Sequence, residues 1–283
     1  MHLRTGIPLL AELDAHLKSD EYNRHVEFNR AFLEKNDAAM NQYGKLWAKD
    51  TFRLWSRRWE YPFVTQRVIQ FAQQQKGDAP FRVLDAGSGV TFFPYYLRKE
   101  IPRSEITCFD SNTSYHPMFA AVNNTMGETR VKFMEGMLQK LPFESDTFDA
   151  VCCISVLEHT SNYGEILDEF ARVLKSGGLL VLTFDLSLDG RFELPRAVAA
   201  DLLAELSRKF NAPGDADLQQ ELVKMERPTE SGILTTDYIR QTQPDLLPWK
   251  HPVLKAAHDL VKGHGWTGGF RSKSVYCLSA TAK

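Results

Sequence analysis

The stretch Phe81-Arg82-Val83-Leu84-Asp85-Ala86-Gly87-Ser88-Gly89 decides the architecture. A short apolar run ends in an acid and passes directly into a Gly-x-Gly turn, which reads as a buried strand feeding a helix. Glycines at such a turn let the backbone approach a ligand closely, at the carboxyl end of a strand, where open α/β sheets bind ligands. A pyrophosphate site would also place a third glycine or alanine at the sixth position, for close helix–strand packing. That position holds Phe92. The turn therefore suits a ligand without a pyrophosphate, with Asp85 placed to accept hydrogen bonds from a cationic amino group. A second acid, Asp110, closes the run Ile106-Thr107-Cys108-Phe109-Asp110, 25 residues after the first. This is close to the roughly 20-residue offset of a ribose-binding acid after a first βα turn. An ionised carboxylate there can accept from both ribose hydroxyls.

Outward from this turn, short apolar runs alternate with helical ones at Phe81–Ala86, Ile106–Phe109, Val131–Met134, Phe148–Ser155 and Leu179–Phe184. This βαβ rhythm predicts a parallel sheet with crossover helices. Upstream, Ile7–Leu17 and Tyr22–Trp47 carry apolar residues at helical spacing, so residues 1–75 read as a helical cap or lid. Residues 76–186 read as the α/β core, entered through Lys76-Gly77-Asp78-Ala79-Pro80. Between Ser187 and Pro252 the strand rhythm stops. A helix is predicted over Leu194–Phe210 and another near Leu218–Met225, so 187–252 is expected to be a helical insertion over an acceptor pocket. Pro244, Pro248 and Pro252, around Leu246-Leu247 and Trp249, predict an ordered loop there. Residues 253–283 return to complete the core, with a last strand near Val275–Ala280.

With 283 residues, 43% hydrophobic and 25% charged, the composition is that of a globular protein with a sizeable core. A net charge of −2 provides no general field for nucleic acid or an anionic membrane. Glu12, Asp14 and Glu21 interrupt any signal-like apolar run, and no stretch approaches the roughly 20 apolar residues of a membrane span. Cys108, Cys152, Cys153 and Cys277 lie in predicted strands at spacings that fit neither a zinc ribbon nor a CxxC pair, so reduced core thiols are expected. A cytoplasmic enzyme without a metal is the class these features imply. Oligomeric state is not readable.

Beyond the glycine turn, an ordered set of motifs over Phe81–Asp185 resembles the class I S-adenosylmethionine (SAM)-dependent methyltransferases, particularly the ubiquinone/menaquinone-biosynthesis-like branch. Asp85-Ala86-Gly87-Ser88-Gly89 resembles their first motif and Asp110 their ribose acid. Glu135-Gly136-Met137-Leu138-Gln139-Lys140-Leu141-Pro142-Phe143 resembles the segment that edges the adenine. Ser145–Val151 and Ile154-Ser155-Val156-Leu157-Glu158-His159 are similar to the entry and exit of their fourth strand. Arg172–Leu180 is similar to the helix, turn and fifth strand. Relatives often carry an acid where this chain has Met137, so adenine is expected to be held by backbone groups such as the Leu138 amide and by thioether packing.

The resemblance implies a three-layer α/β/α Rossmann-like methyltransferase fold, with a mostly parallel seven-stranded sheet, an antiparallel last strand and a helical cap. It implies SAM as cofactor, held by Asp85, Gly87, Ser88, Gly89, Asp110, Ser111, Met137, Leu138 and Ser155. His159, after the fourth strand, is the expected general base, against a local hydrogen-bonding role at a helix start. Glu158 is expected to orient a loop or act on SAM indirectly, and Asp185 to contact substrate or cap. The expected reaction is methylation of an oxygen or nitrogen on a small acceptor, carbohydrate-like or a natural product. The alternatives are carbon methylation of a quinone-like or lipid acceptor, RNA methylation, and SAM binding without turnover. Trp47, Phe52, Trp55, Trp59, Tyr61 and Phe63 interleave with Lys49, Arg53, Arg57 and Arg58. Such interleaving can bind single-stranded nucleic acid, but the rest of the chain is not basic, and a lid with partial substrate contact is expected instead. His251, His258 and His264, with Asp259, lack the i, i+4 pairing of a helical zinc site.

Overall fold

The computed structural model describes residues 2–44, 50–190, 193–212, 217–247, 253, 257, 260–261 and 271–283. Five parallel strands form its centre: β1 (Phe81–Ala86), β2 (Ser104–Asp110), β3 (Val131–Glu135), β4 (Phe148–Ile154) and β5 (Leu174–Ser187). Two-residue strands β6 (Leu194–Pro195) and β7 (Phe210–Asn211) and the long β8 (Lys273–Ala282) complete the sheet. The order is β3-β2-β1-β4-β5-β8-β7, with β6 added beside β5. The main path therefore has the predicted seven strands, and β8 runs antiparallel to both β5 and β7. Strand order reverses between β1 and β4, and in an open α/β sheet the crevice lies at that switch point, beyond the carboxyl ends of the strands.

Both faces of the sheet are covered, which is why the strands read as nearly continuous apolar runs. Alternation along β4 separates the two cores. Ala150 and Cys152 join one cluster, Val151 and Cys153 the other, all fully buried. The first core receives α1 (Leu10–Leu17), α2 (Asp20–Lys35), α3 (Asp37–Tyr43), α4 (Arg57–Gln74), α5 (Phe93–Glu100) and α6 (Tyr115–Met126). The second receives α7 (Tyr163–Val173), α8 (Arg196–Lys209) and α9 (Leu218–Val223). The four cysteines are buried free thiols whose acidity burial suppresses.

The N-terminal helices are part of the core rather than a loose lid. Phe52, Trp55, Trp59, Tyr61 and Phe63 are at most 4% exposed, and full burial of side chains this size stabilises by about 1.5–3 kcal/mol each. Their contact with the core explains the missing third glycine. Phe92 packs edge-on against Tyr61 with ring centres 5.0 Å apart and lies 5.4 Å from Phe52, so the sixth position joins cap to sheet. Helix α4 tolerates Pro62 because its loss is compensated. Proline has no N–H for the Arg58 carbonyl, and Nε2 of the buried His16 lies 2.7 Å from that oxygen and donates to it.

Two features differ from the sequence reading. Strand β5 starts at Leu174, five residues early, because the Gly177-Gly178 turn continues the ladder as an irregularity opposite Phe148 and Ala150. The 187–252 segment, expected to lack strands, carries β6 and β7 besides α8, α9 and α10 (Thr236–Thr242). Two-residue strands have no readable period. They exist because β5 and β8 offer edges to pair with. Trp47, Lys49, Pro248, Trp249 and Pro252 lie outside the described residues, as do His251, His258, Asp259 and His264.

Candidate active site

A cavity of about 620 Å³ opens at the carboxyl ends of β1, β2 and β4. The nine residues expected to hold SAM and the expected base line it, namely Asp85, Gly87, Ser88, Gly89, Asp110, Ser111, Met137, Leu138, Ser155 and His159, while Glu158 and Asp185 do not. Among the described residues, no part of the 187–252 insertion does. The opposite wall comes from the N-terminal helices, through Tyr43, Arg57 and Tyr61.

The glycine turn is held from two sides. Gly87 and Ser88 donate their N–H groups to the Phe109 carbonyl at 2.7 and 3.2 Å. Gly89 donates to Asp110 Oδ2 at 3.0 Å, and Asn112 N–H donates to Oδ1 at 3.1 Å. Each oxygen of Asp110 keeps a lone pair for a further donor. Gly87 has φ +73°, and a Cβ there would sit 2.4 Å from Val156 Cγ2, so only glycine fits.

Asp85 is 3% exposed, and its Oδ2 has no partner. Burial, then the nearby Asp110 charge, pushes its pKa up to about 8. An orphaned carboxylate oxygen beside a ligand-sized cavity is costly unless a donor completes it. A cationic amino group is the donor that also removes the cost of its charge. Met137, across the cavity, is 58% exposed, a thioether open to a flat apolar ligand.

Beneath the β4 end lies a charged network that sequence reasoning did not find. Glu60, from α4, is 0% exposed. It accepts from the Ser155 hydroxyl at 2.5 Å and the Thr183 hydroxyl at 2.7 Å, and pairs with Arg57 at 2.8 Å. Arg57 Nε is buried without a partner, and the neighbouring acids, led by Glu60, hold its guanidinium protonated despite burial. Glu158 accepts the Asp185 N–H at 3.3 Å, so it braces the strand β5 rather than a loop. Burial and then Asp185 raise its pKa well above the usual carboxylate range. Asp185 pairs with Lys273 of β8. His159 closes a single 3₁₀ turn, Leu157–His159, with its N–H donated to the Val156 carbonyl at 2.9 Å, and its side chain is exposed at the cavity rim.

The basic–aromatic segment divides between core and cavity. Most of its rings are core, while Arg57 and Tyr61 reach the cavity. Glu60, the interior residue of that segment, gave no sequence signal beyond an i, i+3 pair with Arg57.

Residues 84–182 match the methyltransferase domain family. The demethylmenaquinone methyltransferase of Thermus thermophilus is 32% identical over 133 residues, which are 46% of this chain and 57% of that protein. The malonyl-[acyl-carrier protein] O-methyltransferase of Laribacter hongkongensis is 29% identical over 177 residues, 59% of each chain. The chain thus spans between half and three-fifths of the length of these relatives. A geranyl diphosphate methyltransferase solved in complex with SAM superposes with a TM-score of 0.51 at 12% identity, covering 100% of this chain and 99% of that one. No helix of the described residues is long and apolar enough to cross a membrane. With a glycine turn, two strand-end acids and the reversed sheet order all falling within the matched residues, this chain carries a class I SAM-dependent methyltransferase domain.

Proposed function

We propose that the chain transfers a methyl group from SAM to an oxygen or nitrogen of a small-molecule acceptor. The observation that carries this reading is the unpartnered, buried Asp85 oxygen beside the glycine turn. In this reading Asp85 takes the cationic amino group of SAM, and Gly87, Ser88 and Gly89 leave room for its methionyl chain. Asp110 and Ser111 take the ribose, and Met137 and Leu138 border the adenine. Bound SAM supplies an electrophilic sulfonium methyl and a neutral thioether leaving group. The protein aligns the acceptor, excludes water and removes a proton. His159, exposed at the rim, takes that proton toward solvent. Residues 76–186 act as the cofactor-binding core and 1–75 supply the acceptor-side wall. Helices α8 and α9 of the 187–252 segment pack on the opposite face of the sheet, and β8 completes the sheet itself.

A second reading, carbon methylation of a quinone-like acceptor, draws on the aromatic lining by Tyr43, Tyr61, Phe93 and Tyr115 and on the Thermus relative's name. Calorimetry with SAM tests the site. The wild type should bind, and Asp110→Ala should lose roughly 1.5–3 kcal/mol of affinity, the worth of hydrogen bonds to a charged group. Undiminished binding in both Asp85→Ala and Asp110→Ala would remove these residues from the site. Transfer of a labelled methyl group to hydroxyl, amine and quinol acceptors in parallel then separates the two readings.

A further inference from the structure

Ser155 shows the cavity an unusual face. Its backbone is left-handed, with φ +50°, although it is not glycine. Such strain costs of order 1–3 kcal/mol and persists where surroundings enforce it. Here both of its hydrogens are committed inward. Its N–H donates to the Thr183 carbonyl at 2.9 Å, and its hydroxyl lies 2.5 Å from Glu60 Oε1. Glu60 meets three donors, one of them the Arg57 guanidinium, which is the setting of an ionised carboxylate. An ionised carboxylate can only accept, so the Ser155 hydroxyl must be the donor of that bond. What Ser155 Oγ retains for a ligand is lone pairs alone.

Resting on the SAM reading above, we propose that Ser155, which the resemblance assigns to SAM, instead serves, fixed by Glu60, as the specificity contact for the methyl acceptor and accepts a hydrogen bond from one of the acceptor's O–H or N–H groups. The cofactor's own cationic donor has a better claimant in the orphaned Asp85, and on the SAM reading its adenine is taken by Met137 and Leu138, which also line the cavity. The donor left for Ser155 belongs to the second substrate. The hydrogen bond that Ser155 accepts orients the acceptor through a hydrogen other than the one His159 removes, so the reacting heteroatom keeps its lone pair for the methyl carbon and gives its proton to His159. An apolar carbon acceptor would leave Ser155 Oγ desolvated without a partner, so the same residue discriminates against it. Glu60 is a positioning residue here. It touches no ligand, and it dictates which way the Ser155 proton points.

The test uses the full chain loaded with S-adenosylhomocysteine and titrated with phenol and toluene, two probes of similar shape that differ in the O–H. Wild type should favour phenol over toluene, and the ratio of the two affinities should fall roughly 2- to 10-fold in Ser155→Ala, the worth of one hydrogen bond. Glu60→Gln should lower the ratio as well, because a glutamine can donate to Ser155 and free its hydroxyl proton. A merely structural role would weaken both probes alike and leave the ratio in place. SAM affinity should be unchanged in Ser155→Ala. A ratio unchanged in Ser155→Ala, no binding of phenol, or a loss of SAM affinity in that variant would each overturn the assignment. Failure of the wild type to bind SAM would overturn the cofactor reading and this one with it.

Discussion

Replacing Asp85 by asparagine should remove a proton from the binding equilibrium of SAM, and the burial of this carboxyl gives the sign. The Asp85 pKa is pushed up to about 8, from 3.8 for the free side chain. At pH 7 the empty site therefore holds this carboxyl about nine-tenths protonated. Pairing with a cationic amino group requires the carboxylate, so binding expels about 0.9 proton at pH 7 and little above pH 9. Affinity should rise about tenfold per pH unit between pH 6 and 7.5 and level off above 8. Calorimetry in buffers of different ionisation enthalpy measures the released proton directly. Asp85→Asn should bind more weakly and lose this release, leaving only what the ligand itself contributes.

Stability of the empty protein follows from the same group. Because the folded state holds the proton more tightly than the unfolded chain, Asp85 favours folding least where it must ionise. Its contribution falls as pH rises through 8, by about 2 kcal/mol between pH 6 and pH 8. Denaturant midpoints of wild type should drop over that range relative to those of Asp85→Asn. Equal proton release in the two proteins would refute the reasoning, since the carboxylate would then not be the group that meets the cation.

Three further outcomes follow from single contacts. Gly87→Ala introduces a side chain at φ +73° and a Cβ 2.4 Å from Val156 Cγ2; thermal unfolding should show a loss of about 2–4 kcal/mol, together with weakened SAM binding. Glu60→Ala leaves the Arg57 guanidinium, with 17% of its side chain exposed, beside two unpaired hydroxyls; urea titration should register a loss of about 3–5 kcal/mol, with Glu60→Gln milder. His159→Ala should lower single-turnover methyl transfer roughly 10²–10⁴-fold while SAM affinity holds, and a loss under about threefold would assign the side chain a structural role.

The cofactor half of this site was legible because it is local. Asp85, the glycines and Asp110 sit at the ends of two strands that are adjacent in sequence and paired in space. A periodic pattern plus a turn rule was enough to place them. The acceptor half was not. Glu60 reaches Ser155 across 95 residues and Thr183 across 123, distances over which no short-range rule operates. In the sequence it is an ordinary helical glutamate three residues after an arginine, the signature of a solvated pair. Its burial is set by the aromatic face of α4, which Trp59 and Phe63 drive against the sheet. Phe92 failed the pyrophosphate pattern for the same reason, since that position serves the cap. The short strands β6 and β7 were likewise invisible, being products of neighbouring edges rather than of their own residues.

This division has a physical consequence for how such a chain acquires its substrate. The turn at Gly87–Gly89 and the acids around it are fixed by β1 and β2, whose packing is shared with the whole sheet, so change there is costly everywhere. The opposite wall hangs on α3 and α4, which supply Tyr43, Arg57 and Tyr61 to the cavity from outside the sheet. One of them, Arg57, is held by the buried charge of Glu60, which also sets the proton of Ser155. Exchanging Glu60 together with Arg57 for a volume-matched apolar pair would keep the packing, since buried ion pairs are often replaceable in that way. It would also release the Ser155 hydroxyl to donate as well as accept. On the proposed reading, recognition of the acceptor is thus separable from stability at this pair of residues, because Glu60 of the N-terminal helices sets the proton of Ser155 in the matched domain.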